Sequence, residues 1–176
     1  MKISNETKLI LKQTHKSKNS GIRQHFISDI VKENSLTLGA EIGVRNGQTL
    51  FYILEQNPAL KMHAVDKKTS QFVGKIKEYK DRVFVHEVDS RQSPDYVADQ
   101  SLDFFFVDAS HTYKNVKKDL IAWIPKLKKN GWMIGHDINY PSVEAAVREV
   151  IGKYEVGPDN VWFYKNDEEY KGLQKL

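Results

Sequence analysis

Apolar and polar positions along this chain switch repeatedly between two periods, and the switches mark out its elements. Over residues 22–31, Ile22, Phe26, Ile27, Ile30 and Val31 fall at helical spacing, which predicts a helix covering one edge of a sheet. Residues 38–42 (L-G-A-E-I) form a short, mostly apolar run of the kind a buried strand requires, with Glu41 interrupting it near the end. Gly43 and Gly47 then bracket a tight turn, and Q-T-L-F-Y-I-L opens a helix that should end near Asn57-Pro58. Strand, glycine turn and helix together make the start of a βαβ unit.

The same alternation continues. K-M-H-A-V at 61–65 predicts a second strand ending at Asp66, residues 69–80 a helix, and R-V-F-V-H-E-V at 82–88 a third strand. D-F-F-F-V at 103–107 is nearly continuous in apolar character, as a strand covered on both faces should be. In residues 112–124 the stripe of Val116, Leu120, Trp123 and Ile124 opposes Lys114, Lys117 and Lys118, an amphipathic helix that Pro125 should end. Asn130-Gly131 reads as a turn, W-M-I-G-H-D as a fifth strand, and residues 142–151 as a short helix with Ser142 as its N-cap. Two extended runs joined through G-P-D-N at 157–160 suit a closing hairpin. Five strands alternating with helices predict a doubly wound, Rossmann-like α/β fold, its mostly parallel sheet ending in an antiparallel hairpin within three α/β/α layers.

Composition narrows this little. A length of 176 residues, 40% hydrophobic and 28% charged, suits one soluble globular domain, expected over residues 21–176. No apolar run approaches the roughly 20 residues that span a bilayer, and the N-terminus has no apolar signal core, so a cytoplasmic protein without a membrane partner is the expectation. The absence of cysteine excludes disulfides, thiolate metal sites and a cysteine nucleophile. The net charge of +4 is uneven: Lys2, Lys8, Lys12, Lys16, Lys18 and Arg23 stand against Glu6 alone in the first 23 residues. Residues 1–20 are therefore expected to be a basic, flexible arm, which is a solvated terminus or a phosphate-tracking segment.

The candidate chemistry lies at the ends of the strands. Open parallel sheets bind ligands beyond the carboxyl ends of their strands, where strand order reverses. Here Glu41 and Gly43, then Asp66, then Asp89 and Ser90, then Asp108 with His111, and finally His136 and Asp137 all fall at that one edge. A polar ligand lying across it is the economical explanation. A nicotinamide cofactor is disfavoured, because the glycine turn reads E-x-G-x-x-x-G rather than G-x-G-x-x-G.

The succession E-I-G-V-R-N-G, A-V-D, E-V-D-S, F-F-F-V-D-A-S-H-T-Y and G-W-M-I-G-H-D resembles the class I S-adenosylmethionine-dependent methyltransferases. It looks most like the small stand-alone O-methyltransferases of sugar and antibiotic biosynthesis. The resemblance implies S-adenosylmethionine as methyl donor and a small-molecule hydroxyl as acceptor. It implies that Glu41, Gly43, Gly47 and Thr49 hold the methionine moiety, that Asp66 accepts hydrogen bonds from the ribose hydroxyls, and that Asp89 and Ser90 read the adenine edge. Asp108 counts among the cofactor-binding residues and is also implied in catalysis and metal binding. In the cation-dependent catechol-type members an acid at the end of strand four binds magnesium and a lysine three positions on is the base. His111 stands at that lysine's place, and imidazole, which titrates near neutrality, suits a general base. Asp137 matches the second metal acid; His136 joins the metal set, which would then suit magnesium or a softer divalent ion. Rival readings are a nucleic-acid methyltransferase using the basic arm and a non-catalytic S-adenosylmethionine-binding accessory protein. Base amino-methylation is disfavoured, since D-A-S-H stands where an N/D-P-P-Y/F tetrad would be. Homo-oligomerisation is left open.

Overall fold

The computed structural model describes residues 21–166; the basic arm expected over 1–20 lies outside them. Its order is α1 (Ile22–Glu33), β1 (Leu38–Ile42), α2 (Gln48–Gln56), β2 (Lys61–Asp66), β3 (Val83–Glu87), β4 (Leu102–Val107), α3 (Tyr113–Trp123), β5 (Leu127–Gly135), α4 (Pro141–Val150), β6 (Glu155–Val156) and β7 (Trp162–Lys165). Short 3₁₀ turns at Lys75–Tyr79, Ser93–Tyr96, Ile124–Lys126 and Pro158–Asn160 complete it.

All seven strands join one sheet in the order β3-β2-β1-β4-β5-β7-β6. The first five are parallel to one another, and β7 runs antiparallel between β5 and β6. This is the doubly wound sheet with a terminal hairpin that the periodicity predicts. The centre is β4, whose three phenylalanines are fully buried and alternate across the sheet. Phe104 and Phe106 pack with Phe26, Ile30, Leu50 and Ile53 under α1 and α2. Phe105 packs on the opposite face with Leu120, Trp123 and Val147 under α3 and α4. Trp123, Trp132 and Trp162 are core residues.

Strand order reverses between β1 and β4, and hydrogen bonds there tie the end of β1 to its neighbours on both sides. Asp108 N donates to Ile42 O at 2.8 Å, and Gly43 N donates to Val65 O at 2.8 Å. Gly43 has φ +95, and a Cβ on it would stand 2.4 Å from Asp108 O. Only glycine fits, for reasons of both torsion and space.

Three local expectations need correction. Residues 69–80 are turns followed by the 3₁₀ segment rather than an α-helix. Gly74 breaks the run, only Thr69, Phe72 and Tyr79 are buried, and Glu87 captures the backbone N–H and hydroxyl of Thr69. Asn130-Gly131 lies inside β5, where pairing jumps from Leu102↔Leu127 to Phe104↔Trp132. The turn became a bulge because Asn130 N donates to Asn166 O and Asn166 N to Gly131 O, tying it to the end of β7. Ser142 does not cap α4: the cap position is Tyr140, and Ser142 Oγ donates instead to His111 O at 2.5 Å.

Candidate active site at the strand-order reversal

Two adjoining cavities open along the carboxyl edge and share Gly43, Asp66 and Ala109. The larger has a volume of about 520 Å³ and reaches from the glycine turn to Asp108, His111 and Asp137. The smaller, about 160 Å³, runs past Asp66 to Ser90, Asn115 and Asp119. A single cleft thus passes from the ends of β2 and β3, over the turn, to the ends of β4 and β5.

At the turn, α2 starts directly after Gly47, whose φ is +78, and the first N–H of the helix, that of Gln48, donates to Asn46 Oδ1 at 3.3 Å. Thr49, in the first turn of α2, is buried and lines the larger cavity. Glu41 lines it too. Its side chain is 2% exposed, and its Oε2 has no hydrogen-bond partner among the described residues. Burial, reinforced by the charge of Asp108 and only partly offset by Arg23, holds the Glu41 carboxyl well above the usual carboxylate range.

Asp66 lies on both cavities. Its Oδ2 accepts from Arg45 N at 2.7 Å and its Oδ1 from Lys68 N at 2.9 Å. A carboxylate offers about four lone-pair sites, so accepting capacity remains on both oxygens. Beyond β3 the sequence expectation divides. The carboxylate of Asp89 is engaged by Arg91 and by Lys67 at 2.9 Å, and the Arg91 side chain holds it well below its usual range. Ser90 stays on the smaller cavity, its hydroxyl donating to Asp119 Oδ1 at 2.6 Å. Asp119 is 1% exposed, and burial raises its pKa against the Ser90 hydrogen bond. It escaped the sequence reading, although an acid between Val116 and Leu120 on the buried stripe of α3 was a signal for it.

At the far end Asp108, His111 and Asp137 each offer a ligand atom within 4.8 Å of the other two. His111 Nε2 stands 2.5 Å from Asp137 Oδ2, and the His111 ring stacks on Tyr140 with centroids 4.9 Å apart. Asp137 has φ 60, a left-handed conformation that aspartate tolerates better than most residues. Its pKa is lowered: burial works against ionisation, but the His136 and His111 contacts prevail. Asp108 is raised, by burial first, with Arg23 and His136 opposing.

His136 Nδ1 lies 3.1 Å from Asp137 Oδ1 and 3.7 Å from Asp108 Oδ1. Burial disfavours its charged form, yet the carboxylates of Asp137, Asp159 and Asp108 prevail and push its pKa up to about 9. His136 Nδ1 also lies 3.3 Å from Arg23 Nη1, so the guanidinium and the acids share that ring edge; His111, not His136, completes the convergent set. Arg23, from the first turn of α1, places Nη1 3.2 Å from Asp108 Oδ2. Neither Arg23 nor Tyr140 was singled out for this site by sequence, since each meets its partner across a long stretch of chain.

A methyltransferase-domain family model matches residues 40–138, from β1 through Asp137. The chain is a class I methyltransferase. Like the other members of that class it depends on S-adenosylmethionine, and the glycine turn, Asp66 and the strand-four tip fall within the matched span. No curated protein matches this methyltransferase. Among solved structures it is similar to the cofactor-bound protein Rv0187 from MTB, at 12% identity and TM-score 0.71, covering 94% of this chain and 92% of that one. It is also similar to the SAH-bound methyltransferase PaMTH1 of Podospora anserina, at 14% identity and TM-score 0.67, covering 92% and 87%. A third is CalS11, a TDP-rhamnose 3'-O-methyltransferase of calicheamicin biosynthesis, at 17% identity and TM-score 0.58, covering 96% and 97%. No helix among the described residues is long and apolar enough to cross a membrane.

Proposed function

We propose that this methyltransferase moves the methyl group of S-adenosylmethionine to a hydroxyl of a small molecule of the sugar or natural-product type. The observation that carries the reading is the Asp137–His111 pair at the end of a cavity that begins at the glycine turn. The cofactor supplies an electrophilic methyl on a sulfonium, open to in-line displacement by an acceptor oxygen. His111, held by Asp137 through Nε2 and by stacking on Tyr140, is positioned to take the proton of that hydroxyl. The glycine turn, Thr49 and Glu41 hold the methionine moiety, and Asp66 binds the ribose hydroxyls. Ser90, Asn115 and Asp119 face the adenine; Asp89 acts only indirectly there, because its carboxylate is taken by Arg91 and Lys67. The likeness to CalS11, a sugar O-methyltransferase, supports the acceptor class.

A second reading is favoured by the convergence of Asp108, His111 and Asp137. Two carboxylates and one imidazole suit a divalent cation such as magnesium or manganese. When bound by those three residues, such a cation would supply Lewis acidity to the acceptor oxygen, and His111 would then be a ligand rather than a base. Labelled methyl transfer to hydroxyl acceptors, including a sugar nucleotide and a catechol, tests both readings. Loss of at least about 90% of the rate in a strong chelator, restored by added Mn²⁺, selects the cation; a rate unchanged by chelator selects the His111 base. Transfer confined to amines or to nucleic acid, with none to hydroxyls, would sink the proposal.

The raised carboxyl of Glu41 gives a further expectation. An ammonium and a sulfonium brought into its cavity favour the carboxylate, so cofactor binding below the raised pKa of the free protein should release a proton. Affinity should therefore rise with pH until the raised pKa of the free protein is passed. Calorimetry in buffers of different ionisation enthalpy reads this directly. Heat that is independent of buffer in the wild type would contradict it, and Glu41→Gln should abolish the dependence.

A further inference from the structure

We infer that Arg23 is a built-in competitor of the divalent cation at Asp108, so that its guanidinium and the metal exclude one another. The inference rests on the cation reading of the site. Its starting observation is the position of Arg23 Nη1, 3.2 Å from Asp108 Oδ2, on the cavity that also holds His111 and Asp137. The arginine comes from α1, the helix laid over the sheet from the N-terminal side, whereas the three convergent side chains come from the loops after β4 and β5.

Helix stability does not explain this arginine. It stands in the first turn of α1, where the exposed N–H groups and the macrodipole favour an acid, and that turn contains none. A cation is placed there at some cost to the helix, and its side chain is 25% exposed, drawn in over the acids rather than extended into water. Its one carboxylate partner among the described residues is Asp108, itself one of the three that converge.

The charges make the competition explicit. Asp108 and Asp137 carry two negative charges when ionised, and the Arg23 guanidinium already supplies a positive one in direct contact with Asp108. A divalent cation entering between the acids brings two further positive charges within a few ångströms of the guanidinium, in a partly desolvated cavity where such repulsion is strong. Either the guanidinium swings out to solvent, which its long stem permits without moving the buried Phe26, Ile27 and Ile30 of α1, or the cation stays out. Arg23 thus sets the concentration at which the site loads and keeps the acids neutralised when it is empty.

The test is a Mn²⁺ titration, followed by the paramagnetic resonance of the free ion, on wild type, Arg23→Gln and Arg23→Lys, each with and without S-adenosylhomocysteine. Removing the charge in Arg23→Gln should tighten Mn²⁺ binding by at least about tenfold, while Arg23→Lys, which keeps it, should stay within about threefold of wild type. Mn²⁺ affinity that is unchanged or weaker in Arg23→Gln would overturn the inference, because Arg23 would then be a neutral bystander or a support for the ligand. Absence of Mn²⁺ uptake by all three proteins would also overturn it. In that case intact calorimetric binding of S-adenosylhomocysteine would show that the cofactor site stands and that only the cation reading has failed.

Discussion

His111→Ala should lower turnover by about two to three orders of magnitude while leaving the affinity for S-adenosylhomocysteine within about twofold of wild type. The separation follows from where the imidazole is anchored. It is held by Asp137, Tyr140 and, through its carbonyl, Ser142, all on the loop after β5 or at the start of α4. None lies on the glycine turn or on the β2 end, so truncation leaves the cofactor side of the cleft in place. The loss falls on the reaction under either reading, as a missing base or a missing ligand. Single-turnover rates with saturating cofactor, alongside calorimetry, make the measurement. Equal losses of rate and affinity would mean that His111 supports the cavity rather than the chemistry.

Asp66→Ala should show the opposite split. Its carboxylate is expected to lose two charge-assisted hydrogen bonds to the ribose and also releases Arg45 N and Lys68 N, which it now holds at 2.7 and 2.9 Å. Two such bonds are worth about 3 kcal/mol together, or roughly a hundredfold in dissociation constant. Turnover at saturating cofactor should change much less. Asp66→Asn retains one acceptor and should fall between the two. If S-adenosylhomocysteine binds the alanine variant as tightly as wild type, the ribose lies elsewhere and the orientation of the cofactor in the cleft must be reversed.

The parts of this site that could be read in the chain are those whose meaning is local. A strand, a turn that needs positive φ and a helix start are specified by neighbouring residues, so Gly43, Gly47 and the acid at the end of β2 could be placed from the letters alone. The parallel order followed from five apolar runs separated by helical stretches, since that alternation leaves few ways to build a sheet. What escaped depends on partners distant in sequence. Ser142 resembles a helix cap until His111 O, 31 residues earlier, takes its hydroxyl. Residues 69–80 have helical periodicity, but Glu87 across the β2–β3 connection claims Thr69. Arg23 reads as part of a basic terminus until α1 lays it against Asp108, 85 positions away in the chain, and the partner of Asp119 on the buried stripe of α3 is Ser90, 29 positions earlier. Asp89 meets its competitor close by instead, because Arg91, two residues on, already pairs with its carboxylate.

The contact between Gly43 and the carbonyl of Asp108 has a practical corollary for anyone wishing to reshape the donor pocket. Bulk cannot be added at that glycine without prising two strands apart, so mutagenesis libraries should leave it untouched. The adjacent loop crest is far more permissive: Arg45 and Asn46 are exposed, and Asp66 grips Arg45 only by its backbone amide. Because Arg45 already sits at φ 54, replacing it with asparagine or glycine would relax the chain there. Diversity in cofactor analogues is best sought at that crest.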